Sequence, residues 1–159
     1  MSKLKLEVIK YSKKLNSTNL SALRSGNISI RVKVKGVDGF YITPSGMRYS
    51  KLKIKDIVFV SLKGIFDKKK RKPSSEWRFH QNIYVNKKEA KAIVHAHSTC
   101  STAVSSHQKN IPAFHYMVAV AGGEDLKCAK YATFGTKQLS RNIITVSYTH
   151  LTMPTKRLV

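Results

Sequence analysis

The sequence predicts a single-domain α/β protein whose central sheet is mainly antiparallel and is covered by helices. Three observations support this fold class. Residues 28–34 alternate apolar and polar side chains, and a glycine-containing turn leads from them to a second apolar run at residues 40–43, as in a β-hairpin. Another apolar run, at residues 56–62, predicts a third strand. Segments with helical spacing are interspersed and do not alternate regularly with the strands, which argues against a doubly wound parallel sheet.

The first half of the chain begins with a predicted amphipathic helix over residues 3–16. Its inward face is formed by side chains at helical spacing, namely Leu4, Val8, Tyr11 and Leu15. The hairpin comes next, and we expect Gly36 to Gly39 to supply its turn.

In the second half, a helix is expected to start at Ser74 or Ser75, with Glu76 in its first turn, where the helix dipole favours a carboxylate. Residues 92–97 contain a β-branched apolar run, which predicts a strand. A helix is predicted to begin near Ser98. The remaining predictions are an apolar segment at residues 116–121, a break at Gly122-Gly123 and a helix from Thr136 onward.

Length and composition indicate one globular domain, with 159 residues of which 42% are hydrophobic. No apolar stretch approaches the roughly twenty residues that span a bilayer, and the N-terminal sequence lacks the apolar region of a secretion signal. We therefore expect a cytoplasmic protein with no membrane partner. The two cysteines, Cys100 and Cys128, have no C-x-x-C spacing, and we expect reduced thiols in the core.

The net charge of +22, from 30 Lys and Arg against 8 Asp and Glu, is the strongest compositional signal. A basic field attracts nucleic acid, but it attracts a small anionic substrate such as a sugar phosphate equally well. The lysines are scattered, and only Lys68-Lys-Lys-Arg-Lys72 forms a block, which is typical of a solvated loop. We therefore expect no nucleic-acid partner, but charge alone does not identify the substrate, and the residues of the site must decide.

A carboxylate and two histidines suggest a metal site with a general base. On a strand, side chains alternate faces, so His95 and His97 are expected to point the same way and to bind one divalent ion. Imidazole ligands suit zinc. Glu76 alone is most simply a carboxylate at a helix terminus, but beside the histidine pair it becomes a candidate metal ligand and proton acceptor.

Three short turns carry small polar side chains that can hold an anion. They contribute Gly26 and Asn27, Ser45 and Gly46, and Ser74 and Ser75. Each is compatible with ordinary turn chemistry, yet backbone N–H groups at such turns and at a helix N-terminus also bind phosphate. Tyr116 is either a core aromatic residue or a proton donor. The other histidines, which include His80, His107 and His115, are expected to be structural.

Seven separated motifs occur in order between about Asn19 and Asn142. They are Gly26-Asn-Ile-Ser29, Ile42-Thr-Pro-Ser-Gly46, Pro73-Ser-Ser-Glu-Trp-Arg-Phe-His80, Val94-His-Ala-His97, Ile111-Pro-Ala-Phe-His-Tyr-Met117, Ala121-Gly-Gly123 and Tyr131-Ala-Thr-Phe-Gly-Thr136. Together they resemble the class II aldolase/adducin family, and most of all its L-fuculose-phosphate aldolases. The resemblance implies the α/β/α sandwich of that family.

The resemblance also implies a reaction and a set of residue roles. Zinc would be bound by His95, His97 and Glu76, with Glu76 also the base, and the six turn residues named above would hold the substrate phosphate. The implied reaction is reversible cleavage of L-fuculose 1-phosphate to dihydroxyacetone phosphate and L-lactaldehyde. Tyr116 would reach a neighbouring subunit's site in a homotetramer. Other family activities stay open, namely rhamnulose-phosphate aldolase, pentulose-phosphate 4-epimerase, methylthioribulose-phosphate dehydratase and a non-catalytic adducin-like module.

The sequence departs from the family pattern near its C-terminus. The family's third zinc histidine lies some sixty residues beyond the His-x-His pair, in a His-Gly context that this chain does not contain. Residues 144–159 resemble translated adapter sequence, so we expect an incomplete family domain over residues 1–143 and an unrelated tail. The alternative is that His150 replaces the third ligand.

Overall fold

A computed structural model describes residues 2–21, 25–116 and 125–147 of the chain. The helices in these ranges are α1 (Ser2–Ser17), α2 (Trp77–Asn86), α3 (Thr99–Ser106) and α4 (Lys137–Ser147). The strands are β1 (Asn27–Val34), β2 (Val37–Ile42), β3 (Val58–Ser61), β4 (Ala92–His95), β5 (Ile111–Pro112) and β6 (Asp125–Leu126). Single 3₁₀ turns at Tyr49–Lys51 and Ile54–Asp56 lead into β3.

The central sheet has the strand order β3-β2-β1-β4, and each neighbouring pair is antiparallel. The prediction of a mainly antiparallel sheet with helices is therefore confirmed. A separate antiparallel pair is formed by β5 and β6. In the central sheet the register places Asn27 opposite His95, and this pairing brings the first predicted anion turn to the predicted metal ligands.

The turn between β1 and β2 is shorter than predicted. Val34 pairs with Val37, so Lys35 and Gly36 alone form the turn, and both have positive φ, +49° and +79°. This is the backbone of a two-residue hairpin turn whose twist matches that of the strands. Gly39 lies inside β2, where a Cβ atom would come within 2.5 Å of the Phe59 ring, so its role is close packing.

Alternate residues of the sheet supply two apolar clusters, one on each face. On the face towards α1, Ile28 and Tyr41 of the sheet form a cluster with Val8 of α1. The opposite face contains Phe40 and Ile42 and meets Tyr84 of α2. Successive side chains of a strand point to opposite faces of the sheet, so apolar residues can bury both faces. The result is a sheet between two helical layers. α4 packs against α2.

The buried face of α1 consists of Val8, Ile9, Ser12 and Leu15, so it differs in part from the predicted one. Val8 and Leu15 are buried as expected, but Tyr11 is 39% exposed, with the Lys10 ammonium over its ring. Ser12 is buried in its place. A serine tolerates this position because its hydroxyl donates a hydrogen bond to the Val8 carbonyl, 2.6 Å away.

Several other predicted details are wrong or fall outside the described ranges. The third strand is limited to β3, because residues 54–56 form a 3₁₀ turn. Cys100 is exposed and Cys128 only partly buried, so the thiols do not belong to the core. Almost all of the apolar segment at 116–121, the Gly122-Gly123 break and His150 lie outside the described residues.

α4 bears out the predicted helix and runs through residue 143 to Ser147, while the proposed boundary at 143 stays a prediction. In the part of the chain that the structure describes, no helix has the length and apolar character needed to cross a membrane.

Candidate metal and base site

Three predicted ligands meet at one corner of the sheet. The candidate ligand atoms of Glu76, His95 and His97 all lie within 4.8 Å of one another. Glu76 Oε2 is 2.9 Å from His95 Nδ1, and the two imidazole ring centroids are 4.6 Å apart. One carboxylate and two imidazoles form a donor set that zinc commonly takes, so these residues fit a divalent ion.

The three side chains reach this corner by different routes. His95 is the last residue of β4, while His97 lies beyond the strand, so the predicted strand to residue 97 is too long. The His97 backbone N–H donates to the Leu20 carbonyl at 2.9 Å and to Ser21 Oγ at 3.1 Å, which fixes the chain after β4. Glu76 stands immediately before α2 and not in its first turn.

Gly26 makes the close approach of β1 and β4 possible. Its φ is +79°, and an added Cβ would lie 2.6 Å from the His95 carbonyl oxygen and 2.6 Å from Ser21 Oγ. A side chain there would press on two atoms that help to place the histidines. The turn is also tied from the other side, since Tyr49 Oη donates to the Gly26 carbonyl at 2.6 Å.

The Glu76 carboxylate is partly buried, with 15% of its side chain exposed. Burial alone would raise its pKa, but hydrogen bonds and charge from His95, a hydrogen bond from Asn27 and the charge of His97 together lower the pKa below its ordinary value. Asn27 Nδ2 donates to Glu76 Oε2 at 2.9 Å. The carboxylate is therefore held ionised, which is the state needed for binding a cation and for accepting a proton.

His97 is the exposed member of the three ligands. Burial lowers its pKa, the charge of His95 lowers it further, and the charge of Glu76 opposes both effects. A lowered pKa favours the neutral imidazole, the form that binds metal ions. Solvent exposure therefore increases from the Glu76 carboxylate to His97, and a substrate can approach the site from the side of His97.

Two of the three predicted anion turns, at residues 43–46 and 73–76, are brought together by backbone contacts. Pro44 and Pro73 form a β-bridge, and the Ser74 N–H donates to the Thr43 carbonyl at 2.9 Å. Gly46 and Ser75 are exposed, whereas Ser74 is buried. The Ser45 N–H is engaged with the Lys72 carbonyl at 3.0 Å.

Asn27 and Tyr116 lie in contrasting environments, one buried and one exposed. Asn27 is 2% exposed, and its side-chain amide is directed to Glu76 and His80. Tyr116 is 71% exposed, and its ring lies against that of His115, with centroids 4.3 Å apart and ring planes tilted by 35°. That Tyr116 reaches the site of a neighbouring subunit stays a prediction.

Sequence reasoning missed the residues that support the site from within. His80, classed as merely structural, is fully buried and hydrogen-bonded to both Asn27 and Ser29. Its spacing of four residues from Glu76 was a usable signal, because residues four apart share a face of the helix that the sequence predicted there. Ser21 and Tyr49 carried no such signal, since their roles depend on contacts between distant segments.

Comparison with known proteins yields one family and several close relatives. The sequence profile described as "Class II Aldolase and Adducin N-terminal domain" matches residues 6–151. The chain is 42% identical over 142 residues to the L-fuculose phosphate aldolase of Escherichia coli K12, covering 89% of this chain and 64% of that protein. It is also 42% identical over 137 residues to a 5-methylthioribulose-1-phosphate/5-deoxyribulose-1-phosphate aldolase of Rhodospirillum rubrum, covering 86% of this chain and 60% of that protein.

Solved structures agree with these sequence matches. A structure titled L-fuculose 1-phosphate aldolase superposes with a TM-score of 0.82 at 41% identity, covering 89% of this chain and 66% of that one. An L-fuculose-1-phosphate aldolase from Thermus thermophilus superposes with a TM-score of 0.76, covering 94% of this chain and 74% of that one, but its 22% identity supports the fold alone. The chain spans less than two thirds of the length of the curated relatives described above.

Proposed function

The chain belongs to the class II aldolase and adducin family, and from this premise we propose that it is a metal-dependent aldolase that acts on a ketose 1-phosphate. The proposed substrate is L-fuculose 1-phosphate, cleaved reversibly to dihydroxyacetone phosphate and L-lactaldehyde. The single observation that carries the proposal is the gathering of Glu76, His95 and His97 within 4.8 Å. An aldolase of this kind needs a cation site and a base at the same point, and these residues offer both.

The chemical difficulty of the reaction is the negative charge left when the bond between C3 and C4 breaks. The electron pair of that bond moves onto the fragment that carries the carbonyl group. A divalent ion held by Glu76, His95 and His97, proposed to be zinc, supplies Lewis-acid stabilisation of such charge when bound.

Glu76 is the group that moves a proton at C3. It returns a proton to this carbon after cleavage and removes one in the synthetic direction. The hydrogen bonds from Asn27 and His95 hold the carboxylate in one orientation and, by favouring its ionised form, suit it to accept a proton. Tyr116 of a neighbouring subunit is proposed to donate a proton to the aldehyde oxygen in the synthetic direction and to take it back on cleavage. This role implies the homotetramer expected from the sequence.

The substrate phosphate is proposed to bind where the turns at residues 43–46 and 73–76 meet. The bridge between Pro44 and Pro73 supports this assignment, because it places Gly46, Ser74 and Ser75 on adjoining turns. Gly26, Asn27 and Ser45 belong to the same proposed set. The large positive charge of the chain, +22, would draw an anionic substrate from solution.

A second substrate class is supported by a relative of the same sequence identity. The relative named for 5-methylthioribulose 1-phosphate and 5-deoxyribulose 1-phosphate is also 42% identical to this chain. Cleavage of any of these ketose phosphates between C3 and C4 gives dihydroxyacetone phosphate, so the alternatives differ only in the aldehyde. The proposed chemistry at Glu76 is the same for all of them.

The proposal is tested by release of dihydroxyacetone phosphate, coupled to oxidation of NADH by glycerol-3-phosphate dehydrogenase. L-fuculose 1-phosphate, 5-deoxyribulose 1-phosphate, 5-methylthioribulose 1-phosphate and L-rhamnulose 1-phosphate form the panel, with zinc content measured on the same samples. We expect Glu76→Gln to lower the rate by about 10²- to 10⁴-fold. The matched control is Glu89→Gln at an exposed glutamate, which should leave the rate unchanged.

Two results would overturn the proposal. One is no product from any ketose phosphate when the protein carries zinc. The other is parental turnover by Glu76→Gln, which would be expected of a non-catalytic adducin-like module or of an enzyme whose base lies elsewhere. Product from L-fuculose 1-phosphate alone would select the first substrate class, and product mainly from the ribulose phosphates would select the second.

A further inference from the structure

A line of hydrogen bonds runs from the Glu76 carboxylate into the core between the sheet and α2. Asn27 Nδ2 is 2.9 Å from Glu76 Oε2, and Asn27 Oδ1 contacts His80 Nε2. His80 Nδ1 is 2.7 Å from Ser29 Oγ, which is 2.8 Å from Tyr84 Oη. Asn27, Ser29, His80 and Tyr84 are each 2% exposed or less.

The direction of every bond in this line follows from its outer end. An ionised carboxylate only accepts hydrogen bonds, so the NH₂ group of Asn27 must face Glu76 and its carbonyl oxygen must face His80. His80 must then donate through Nε2, which leaves Nδ1 as an acceptor in the neutral ring. The Ser29 hydroxyl therefore donates to His80 Nδ1, and the Tyr84 hydroxyl donates to Ser29 Oγ.

The surroundings of His80 favour the neutral ring that this direction requires. Complete burial lowers its pKa well below the ordinary value, and the charge of His95 lowers it further. Its ring lies against those of Phe79 and Phe40, with centroid distances of 4.4 and 6.5 Å. The ring is fully buried, so the imidazole cannot turn to present its other nitrogen to Asn27 without moving its neighbours.

We propose that His80 is a positioning residue for the base. In this proposal the Nε2–H tautomer of His80, stabilised by the Ser29 hydroxyl that donates to Nδ1, fixes the amide of Asn27, and Asn27 in turn fixes the Glu76 carboxylate. The part of the line from Ser29 to Glu76 acts as one directed series of donors, so a change at Ser29 or His80 is transmitted to the carboxylate. The effect on turnover depends on the proposed aldolase function, whereas the tautomer and the orientation of Asn27 do not.

The first test is NMR of the 159-residue chain with ¹⁵N-labelled histidine. Long-range ¹H–¹⁵N spectra should show the neutral Nε2–H tautomer for His80 near pH 7, with the signal assigned by its loss in His80→Gln. The Nδ1–H tautomer or a doubly protonated ring at that pH would overturn the proposal. This measurement needs neither metal nor substrate.

The second test compares His80→Gln with His80→Leu. Glutamine can offer an amide N–H near the position of Nε2, so the Asn27 side-chain amide should keep its protected signals in that variant and lose them in the leucine variant. Zinc affinity should follow the same order. Loss of such a supporting hydrogen bond typically weakens metal binding by about 10- to 100-fold, which we expect for leucine and not for glutamine. Equal behaviour of the two variants would contradict the proposal.

Ser29→Ala and Tyr84→Phe separate positioning from stability. Both remove one buried hydroxyl, but only the serine hydroxyl donates to His80. We expect Ser29→Ala to weaken zinc binding and Tyr84→Phe to retain it, even where the two variants lose similar resistance to urea. Zinc affinity that simply tracks stability would show a structural role only. If the NMR and zinc results hold while no ketose phosphate is cleaved, positioning stands and the aldolase proposal fails.

Discussion

Replacing Gly26 by alanine is expected to damage the candidate metal site through contacts that the glycine avoids. The added Cβ would lie 2.6 Å from both the His95 carbonyl oxygen and Ser21 Oγ, and the latter accepts the His97 N–H. Overpacking of this kind costs about 1–3 kcal/mol. The left-handed backbone adds about 1–2 kcal/mol for any residue with a Cβ. The total expected loss is about 2–5 kcal/mol.

Gly36 is a matched control for this prediction. It has the same φ of +79°, but its Cβ would meet no atom within 4 Å. Gly36→Ala should therefore lose only the backbone contribution of about 1–2 kcal/mol and should keep its zinc affinity. Urea unfolding and zinc titration of both variants measure the difference. Equal losses of stability, together with parental zinc binding by Gly26→Ala, would refute the reasoning.

Three further predictions concern the packing around the site. Arg31 donates to the carbonyls of Tyr84, Lys87 and Ala90 at 2.6–2.8 Å. In urea unfolding, Arg31→Leu should therefore lower the free energy of unfolding by about 3 kcal/mol, and Arg31→Lys should lower it less. The control Arg48→Leu, at an exposed arginine, should lower it by under about 0.5 kcal/mol. Equal losses from Arg31→Leu and Arg48→Leu would contradict this. Burial raises the pKa of Asp56, but the Lys53 N–H and Arg71 lower it overall below 3.8. The ionised carboxylate therefore stabilises the fold above that pH, and this stabilisation is lost as pH falls through the lowered pKa of the native state. Asp56→Asn should cost about 1–3 kcal/mol at pH 7, and its difference from the parent should shrink in acid; a gap independent of pH would argue against the ion pair. Tyr49→Phe removes the hydroxyl that donates to the Gly26 carbonyl, and should cost about 1 kcal/mol and speed amide exchange at residues 25–27; unchanged exchange would exclude that role.

Local pattern was sufficient to predict the sheet and most helices. The alternation in residues 28–34 and the apolar runs after it depend only on which side chains face a core, and the observed antiparallel sheet bears this out. Turn geometry was less accessible. Gly36 and Gly39 looked equivalent in sequence, but Gly36 supplies a positive φ and Gly39 makes room for Phe59.

The candidate site shows the same division. Local spacing was enough to predict His95, His97 and Glu76 as metal ligands, because a His-x-His pair on a strand after a carboxylate at a helix start is uncommon. It could not place Asn27, whose amide contacts Glu76 and His80 only because β1 pairs with β4 in one register. The role of Ser21 depends likewise on the path of the chain after β4. Contacts between distant segments were beyond the reach of local pattern.

The separation of these segments along the chain has a consequence for folding kinetics. Asn27 is 49 residues from Glu76 and 68 residues from His95, so the contacts among them close long loops. Such contacts tend to form late, after local structure has reduced the entropy of closure. Interactions absent from the folding transition state change the unfolding rate more than the folding rate. An ion held at this corner would therefore slow unfolding while leaving the speed of folding nearly unchanged.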